Sequence, residues 1–178
     1  MIDVGYFVKR VERRPEWLDA GVAEVCSVSN CISQPPEGWI EHWLHNDFGL
    51  FNRVSDAIGV VGPDRRATYR LFAYRLYPEF FRHGAREPFA GAAVAPDPIP
   101  PTFRSLGFDA VSKSMESILG FECSPLSCNS MAAEMHTNIH CLFESLEAAI
   151  LGATRFSLEQ PEPGDYYILE VFEERDAA

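Results

Sequence analysis

Residues 138–173 read NIHCLFESLEAAILGATRFSLEQPEPGDYYILEVFE, and this stretch decides the fold class. Asn138 to Phe143 is predicted as a strand. Ser145 then stands where a hydroxyl caps a helix amino terminus, and Leu146, Ala149, Ile150 and Ala153 recur at helical spacing, giving one apolar face. Pro161, Pro163 and Gly164 stop that helix and turn the chain. Tyr166 to Glu173 is predicted as a final strand, with Tyr166, Ile168, Glu170 and Phe172 on one face and Tyr167, Leu169 and Val171 on the other. Strand, helix, strand is therefore the local pattern.

Working outward, Thr68 to Tyr77 is apolar on both faces apart from Arg70 and Arg75, as expected of a central strand. Val4 to Val11 alternates as a first strand, and Val22 to Ile32, carrying Cys26 and Cys31, as a second. Pro15 with Glu16 and Trp17 suits a short helix start. Trp39, Ile40, Trp43 and Leu44 share one helical face, leaving His42 and His45 on the other. Asp109 to Leu119 carries Val111, Met115, Ile118 and Leu119 at helical spacing, with an extended Phe108 to Ser112 as the alternative. No tandem repeat is evident. Because the amino-terminal half lacks regular strand and helix alternation, the expected class is α+β: a mixed, mostly antiparallel sheet with helices packed on it, in a single compact domain spanning 1–178. Residues 83–101, rich in proline and glycine, are expected to form a long loop.

Composition narrows the function classes. The 178 residues are 47% hydrophobic and 23% charged, an ordinary globular balance. A net charge of −11 argues against nucleic acid and against anionic membrane, both of which need a basic face. No apolar run reaches the length of a membrane span or an export signal, and five cysteines, an odd number, suit reduced thiols in a cytoplasmic protein. Oligomeric state has no signature in the sequence.

No metal or cofactor is expected. Cys26 and Cys31, like Cys123 and Cys128, are spaced so that a strand or helix points the two thiols in different directions. His136 and His140 share a face of a strand but lie about 13 Å apart along it. No His-Glu-x-x-His segment and no glycine-rich phosphate loop occurs.

Two functional readings follow. The first is a soluble, acidic, partner-binding protein of the inhibitor or immunity type. Residues 159–178 carry seven acidic side chains against Arg175, an edge suited to a basic protein partner, with Tyr166, Tyr167, Glu173 and Glu174 as binding residues. The alternative is a small hydrolase or transferase with Cys128 as nucleophile, His136 or His140 as base, Asn129 as orienting group and Glu170 as an accessory carboxylate. Glu170, lone among apolar neighbours, is in any case expected to form a structural ion pair with Arg70 or Arg75.

Overall fold

The computed structural model describes residues 1–29, 35–39, 45–46, 48–62, 68–77, 94–113, 123–162 and 165–175. Strand β1 spans Ile2–Lys9, β2 Glu12–Arg13 and β3 Glu24–Val25. Helix α1 (Val54–Val61) precedes β4 (Arg70–Leu76), and β5 (Phe103–Lys113) precedes the short α2 (Pro125–Cys128). Helix α3 (Leu146–Glu159) leads into β6 (Asp165–Glu174). Four strands form one sheet in the order β1-β4-β6-β5, every neighbouring pair antiparallel, while β2 and β3 form a separate two-residue ladder. The α+β class is as expected, and β4 and β6 are its two central strands.

Several expected elements differ. Phe103–Lys113 is strand, so over 109–113 the expected helix gives way to its extended alternative, while 114–119 lie outside the described residues. Among the described residues the expected second strand contracts to Glu24–Val25, with 30–32 outside them, and Pro15 to Leu18 is a turn closed by Leu18 N–H donating to the Pro15 carbonyl at 3.0 Å. Asn138 to Phe143 is a turn ending in a single bridge from Phe143 to Phe108. Trp39 lies in a turn and His45 in an isolated bridge to Phe51, not in a helix; residues 40–44 fall outside the described residues, as do Cys31 and most of the 83–101 loop. The described end of that loop is irregular but docked, with the Tyr6 hydroxyl donating to the carbonyls of Asp97 and Pro98.

The two halves of the chain repeat one unit that the sequence conceals. In β1 the ladder slips at Gly5 (φ +133°), and in β5 at Gly107 (φ +136°). Against each slip lies a turn opened by an asparagine. Asn46 Nδ2 donates to the Val4 carbonyl at 2.9 Å, and Asn138 Nδ2 to the Leu106 carbonyl at 2.7 Å. Each asparagine's Oδ1 accepts two backbone N–H groups, those of Phe48 and Leu50 in one copy and of His140 and Leu142 in the other. Each turn then bonds reciprocally to its strand, Phe51 to Tyr6 and Phe143 to Phe108. A helix and a central strand follow in both. Exchanging β1 with β5 and β4 with β6 leaves the sheet order unchanged, and Tyr74 pairs with its own counterpart, Val171.

Antiparallel register sorts side chains onto two faces. One carries Tyr166, Ile168 and Ala110 and receives Ala149 and Phe156 of α3. The other carries Phe7, Lys9, Arg70, Phe72, Tyr74, Asp109, Leu169, Val171 and Glu173, and its charged members are the functional question.

Candidate functional site

On the sheet face that bears them, Lys9 and Asp109 belong with Arg70 and Glu173 to a polar cluster closed over by residues 24–29 and 123–128. Asp109 is fully buried. Its carboxylate accepts from Ser27 Oγ and the Val28 amide, both at 2.8 Å, and from Ser124 Oγ at 2.6 Å. Burial pushes the Asp109 pKa up, against the pull of these three donors. Ser124 also accepts from the Leu126 amide as the cap of α2, so one carboxylate ties three segments together.

Lys9 is fully buried as well, donating to the Ser27 carbonyl with its ammonium 5.3 Å from the Phe72 ring centroid and 5.8 Å from that of Tyr74. Desolvation lowers its pKa to about 8, with the nearby Asp109 opposing the shift. Tyr74 is buried beside it, and its hydroxyl has no hydrogen-bond partner among the described residues.

Arg70 organises the outer part of the cluster. Its Nε donates to Glu173, while its terminal nitrogens hold Glu24 at 2.6 and 3.1 Å. Glu173 also receives Arg104 at 3.0 Å. Glu24 Oε1 lies 2.7 Å from His140 Nδ1 and accepts from the Cys26 thiol at 3.3 Å. Burial disfavours the Glu24 charge, but the hydrogen bonds from Arg70 and His140 outweigh it and hold the carboxyl at about 2. The Cys26 thiol is pushed up by burial and by Glu24. An open pocket of about 500 Å³, lined by Arg104, Glu173, Glu174 and Arg175, adjoins this end of the sheet.

The residues expected from sequence are distributed differently. Cys128 Sγ lies 3.5 Å from Ser29 Oγ and 3.6 Å from Ser127 Oγ. His140 turns to Glu24 and the neighbouring Cys26, and His136 is exposed. Asn129 caps the 3-10 helix Ser130–Glu134 through its Oδ1 and donates Nδ2 to Glu162 at 2.8 Å. Glu170 points to the opposite sheet face from Glu173, since residues three apart in a strand alternate in direction, and accepts from the Tyr77 hydroxyl at 2.9 Å. Cys128, His140 and Glu170 thus each have different hydrogen-bond neighbours, and Glu170 lies on the sheet face away from Asp109.

The expected ion pair is likewise corrected. Arg70 takes Glu173 rather than Glu170, because the two share a face, and Arg75, directly opposite Glu170 in the ladder, instead gives its Nε to Asp3 at 2.7 Å. Tyr166 and Tyr167 are buried, not exposed, because β6 is an interior strand covered on both faces; of the expected acidic binding residues, Glu173 is buried and Glu174 half-buried.

Sequence reading missed Lys9, Glu24, Tyr74 and Asp109, and weighed Cys26 only in its spacing to Cys31. The available signal was a single charge inside each of two apolar runs, Tyr6-Phe7-Val8-Lys9 and Phe108-Asp109-Ala110-Val111. Its partners are supplied by remote segments that local periodicity does not connect. Among the described residues, Glu24, Cys26 and His140 alone bring three metal-capable side chains within 4.8 Å of one another. No family model, curated protein or solved structure matches this chain.

Proposed function

We propose that this is a partner-binding protein whose docking surface is the outward face of α3, and that its partner is basic. The observation that carries the reading is that Leu151 and Leu158, seven residues apart and so nearly in line on the helix, are 67% and 82% exposed. Leucines this open, on a helix whose Ala149 and Phe156 are fully buried, suit apolar anchors for a second molecule. Glu147, Glu159 and Glu134 are exposed around them. Arg155 is paired with both Glu134 and Glu159, leaving an excess of negative charge along the rim. The net charge of −11 adds long-range attraction for a cationic partner.

Inhibitor or immunity-type activity is the form of binding this surface favours, in a reducing, intracellular setting. Cys26 and Cys141 are buried thiols outside any disulfide, which supports that setting.

The test uses a fluorescent amphipathic peptide of leucine and lysine, its leucine and glutamate counterpart, and the double variant Leu151→Ser/Leu158→Ser. Anisotropy should show binding of the basic peptide only, weakening steeply between ~50 and ~500 mM salt as charges are screened. Truncating two anchors at about 1 kcal/mol each predicts a loss of roughly tenfold or more in the double variant. Binding that ignores the two leucines would sink the assignment.

A further inference from the structure

We propose that Glu24, Cys26 and His140 form a site for one zinc-class divalent cation, with a fourth coordination position open to solvent. Three different ligand types converge here: Cys26 Sγ and His140 Nδ1 both point at Glu24 Oε1, at 3.3 and 2.7 Å. All three ligand atoms lie within 4.8 Å of one another, a spread that one ion in their midst can bridge with small side-chain shifts.

The backbone fixes the arrangement before any ion arrives. The Ala23 and Glu24 amides donate to the Ile139 carbonyl, and the Cys26 amide donates to that of His140, so the two ligand-bearing segments are clamped side by side. Asn138 holds the turn that aims His140, through Oδ1 accepting the His140 amide at 2.9 Å. Arg70 forks onto Glu24, holding Oε2 at 2.6 Å and Oε1 at 3.1 Å, and so fixes the carboxylate with Oε1 also facing the thiol and the imidazole. Orienting a ligand carboxylate is what outer-shell partners do in metal sites. Arg70 also pairs with Glu173, which offsets part of its charge where it positions Glu24.

Access and selectivity follow from the same residues. The His140 and Glu24 side chains are 19% and 24% exposed, while Cys26 is fully buried, so the ion would rest on the thiolate and face solvent between the other two. A thiolate and an imidazole favour zinc-class ions over calcium or magnesium, which take oxygen ligands. Binding is balanced by one proton: Cys26 releases its S–H proton to solvent, and the proton that neutral His140 donates from Nδ1 to Glu24 is exchanged through solvent onto Nε2, so that Nδ1 can ligate. Two ligand negative charges then meet two positive charges on the ion.

The experiment titrates cobalt(II), as a spectroscopic stand-in for zinc, into the reduced, chelator-treated full chain. A thiolate-to-cobalt charge-transfer band saturating at one ion per chain is expected, and zinc should displace it. Cys26→Ser should remove the band, and His140→Gln should weaken binding by at least the roughly 10–100-fold that loss of a mere outer-shell partner costs. Cys128→Ser, altering a thiol outside the site, should leave band and affinity unchanged, and far-ultraviolet circular dichroism checks that each variant is folded. A folded wild-type chain without the band, a band surviving Cys26→Ser, or one lost in Cys128→Ser overturns the assignment. Should Cys26→Ser fail to fold, the pair His140→Gln and Cys128→Ser decides it alone.

Discussion

Gly49 and Cys141 occupy the same left-handed position, φ +68° and +59°, in two copies of one asparagine-opened turn. In each, the amide at that position donates to the asparagine carbonyl, Gly49 to Asn46 at 2.8 Å and Cys141 to Asn138 at 3.0 Å. One copy meets the backbone requirement with the residue that adopts it freely. The other meets it with a side chain, whose thiol is buried and donates to the Leu126 carbonyl at 3.1 Å.

That contrast predicts an inverted ranking at residue 141. Cys141→Ala and Cys141→Gly both remove the sulfur and its hydrogen bond, but only glycine relieves the left-handed conformation, which costs a non-glycine residue roughly 1–2 kcal/mol. Elsewhere glycine is the less stable of the two by about 0.5–1 kcal/mol. Urea unfolding should find Cys141→Gly more stable than Cys141→Ala by about 1 kcal/mol; the ordinary order would show that the turn relaxes away from positive φ.

Gly5 and Gly107 make the opposite case, since there no side chain fits. A Cβ on Gly5 would sit 2.7 Å from the Phe51 carbonyl oxygen, and one on Gly107 would sit 2.7 Å from that of Phe143. Both neighbours are backbone atoms held in reciprocal hydrogen bonds, so neither can withdraw without breaking the unit. Gly5→Ala and Gly107→Ala should each destabilise by at least about 3 kcal/mol, combining the clash with the cost of positive φ. Denaturant titration of the two variants checks this, and a loss under about 1 kcal/mol in either would mean that its turn is not rigidly seated.

The sequence made the central strands legible and hid the repeat. β4 and β6 are dense in aromatic and branched residues, so composition alone marks them. α1, by contrast, runs Val-Ser-Asp-Ala-Ile-Gly-Val-Val, a series of poor helix formers that is helical because Ala57 and Val61 are buried. The apparent helical spacing after Asp109 begins at Val111, which lies within β5. Aligned turn on turn, residues 46–61 and 138–153 share only one asparagine, leucine, phenylalanine, alanine and isoleucine, yet those include the asparagine and the bridging Phe51 and Phe143. What repeats is a hydrogen-bond pattern, and most of its donors and acceptors are backbone.

The candidate site shows why the two halves diverged in sequence. In register, Asp109 matches Phe7, and in the turns His140 matches Phe48; Phe7 packs on Trp39 with ring centroids 5.1 Å apart, and Phe48 is buried. One half fills the space with aromatic rings. The other fills it with a hydrogen-bonded carboxylate and an imidazole, whose partners Glu24, Ser27 and Ser124 come from outside the repeating unit. Local periodicity could not reveal such a site, because its polar residues replace core positions one at a time.

Lys9 gives that polar core a measurable pH signature. Burial holds its pKa at about 8 against an ordinary 10.5, so between those values the unfolded chain keeps a proton that the folded chain has released. Stability contributed by this group therefore rises with pH across that window, and below about pH 8 the folded state bears the full cost of a buried ammonium. At about 1.4 kcal/mol per pKa unit, that cost is on the order of 3 kcal/mol. Cysteines and tyrosines also titrate there, and those whose pKa burial raises, such as Cys141, pull stability the other way. Their contribution is shared by wild type and Lys9→Met and largely cancels in the difference. The stability of wild type minus that of Lys9→Met should accordingly climb by roughly 3 kcal/mol from pH 7 toward the ordinary lysine pKa, read by urea unfolding at successive pH values. A flat or falling difference would show that Lys9 stays protonated through the window, with Asp109 stabilising its charge more strongly than the dry sheet face opposes it.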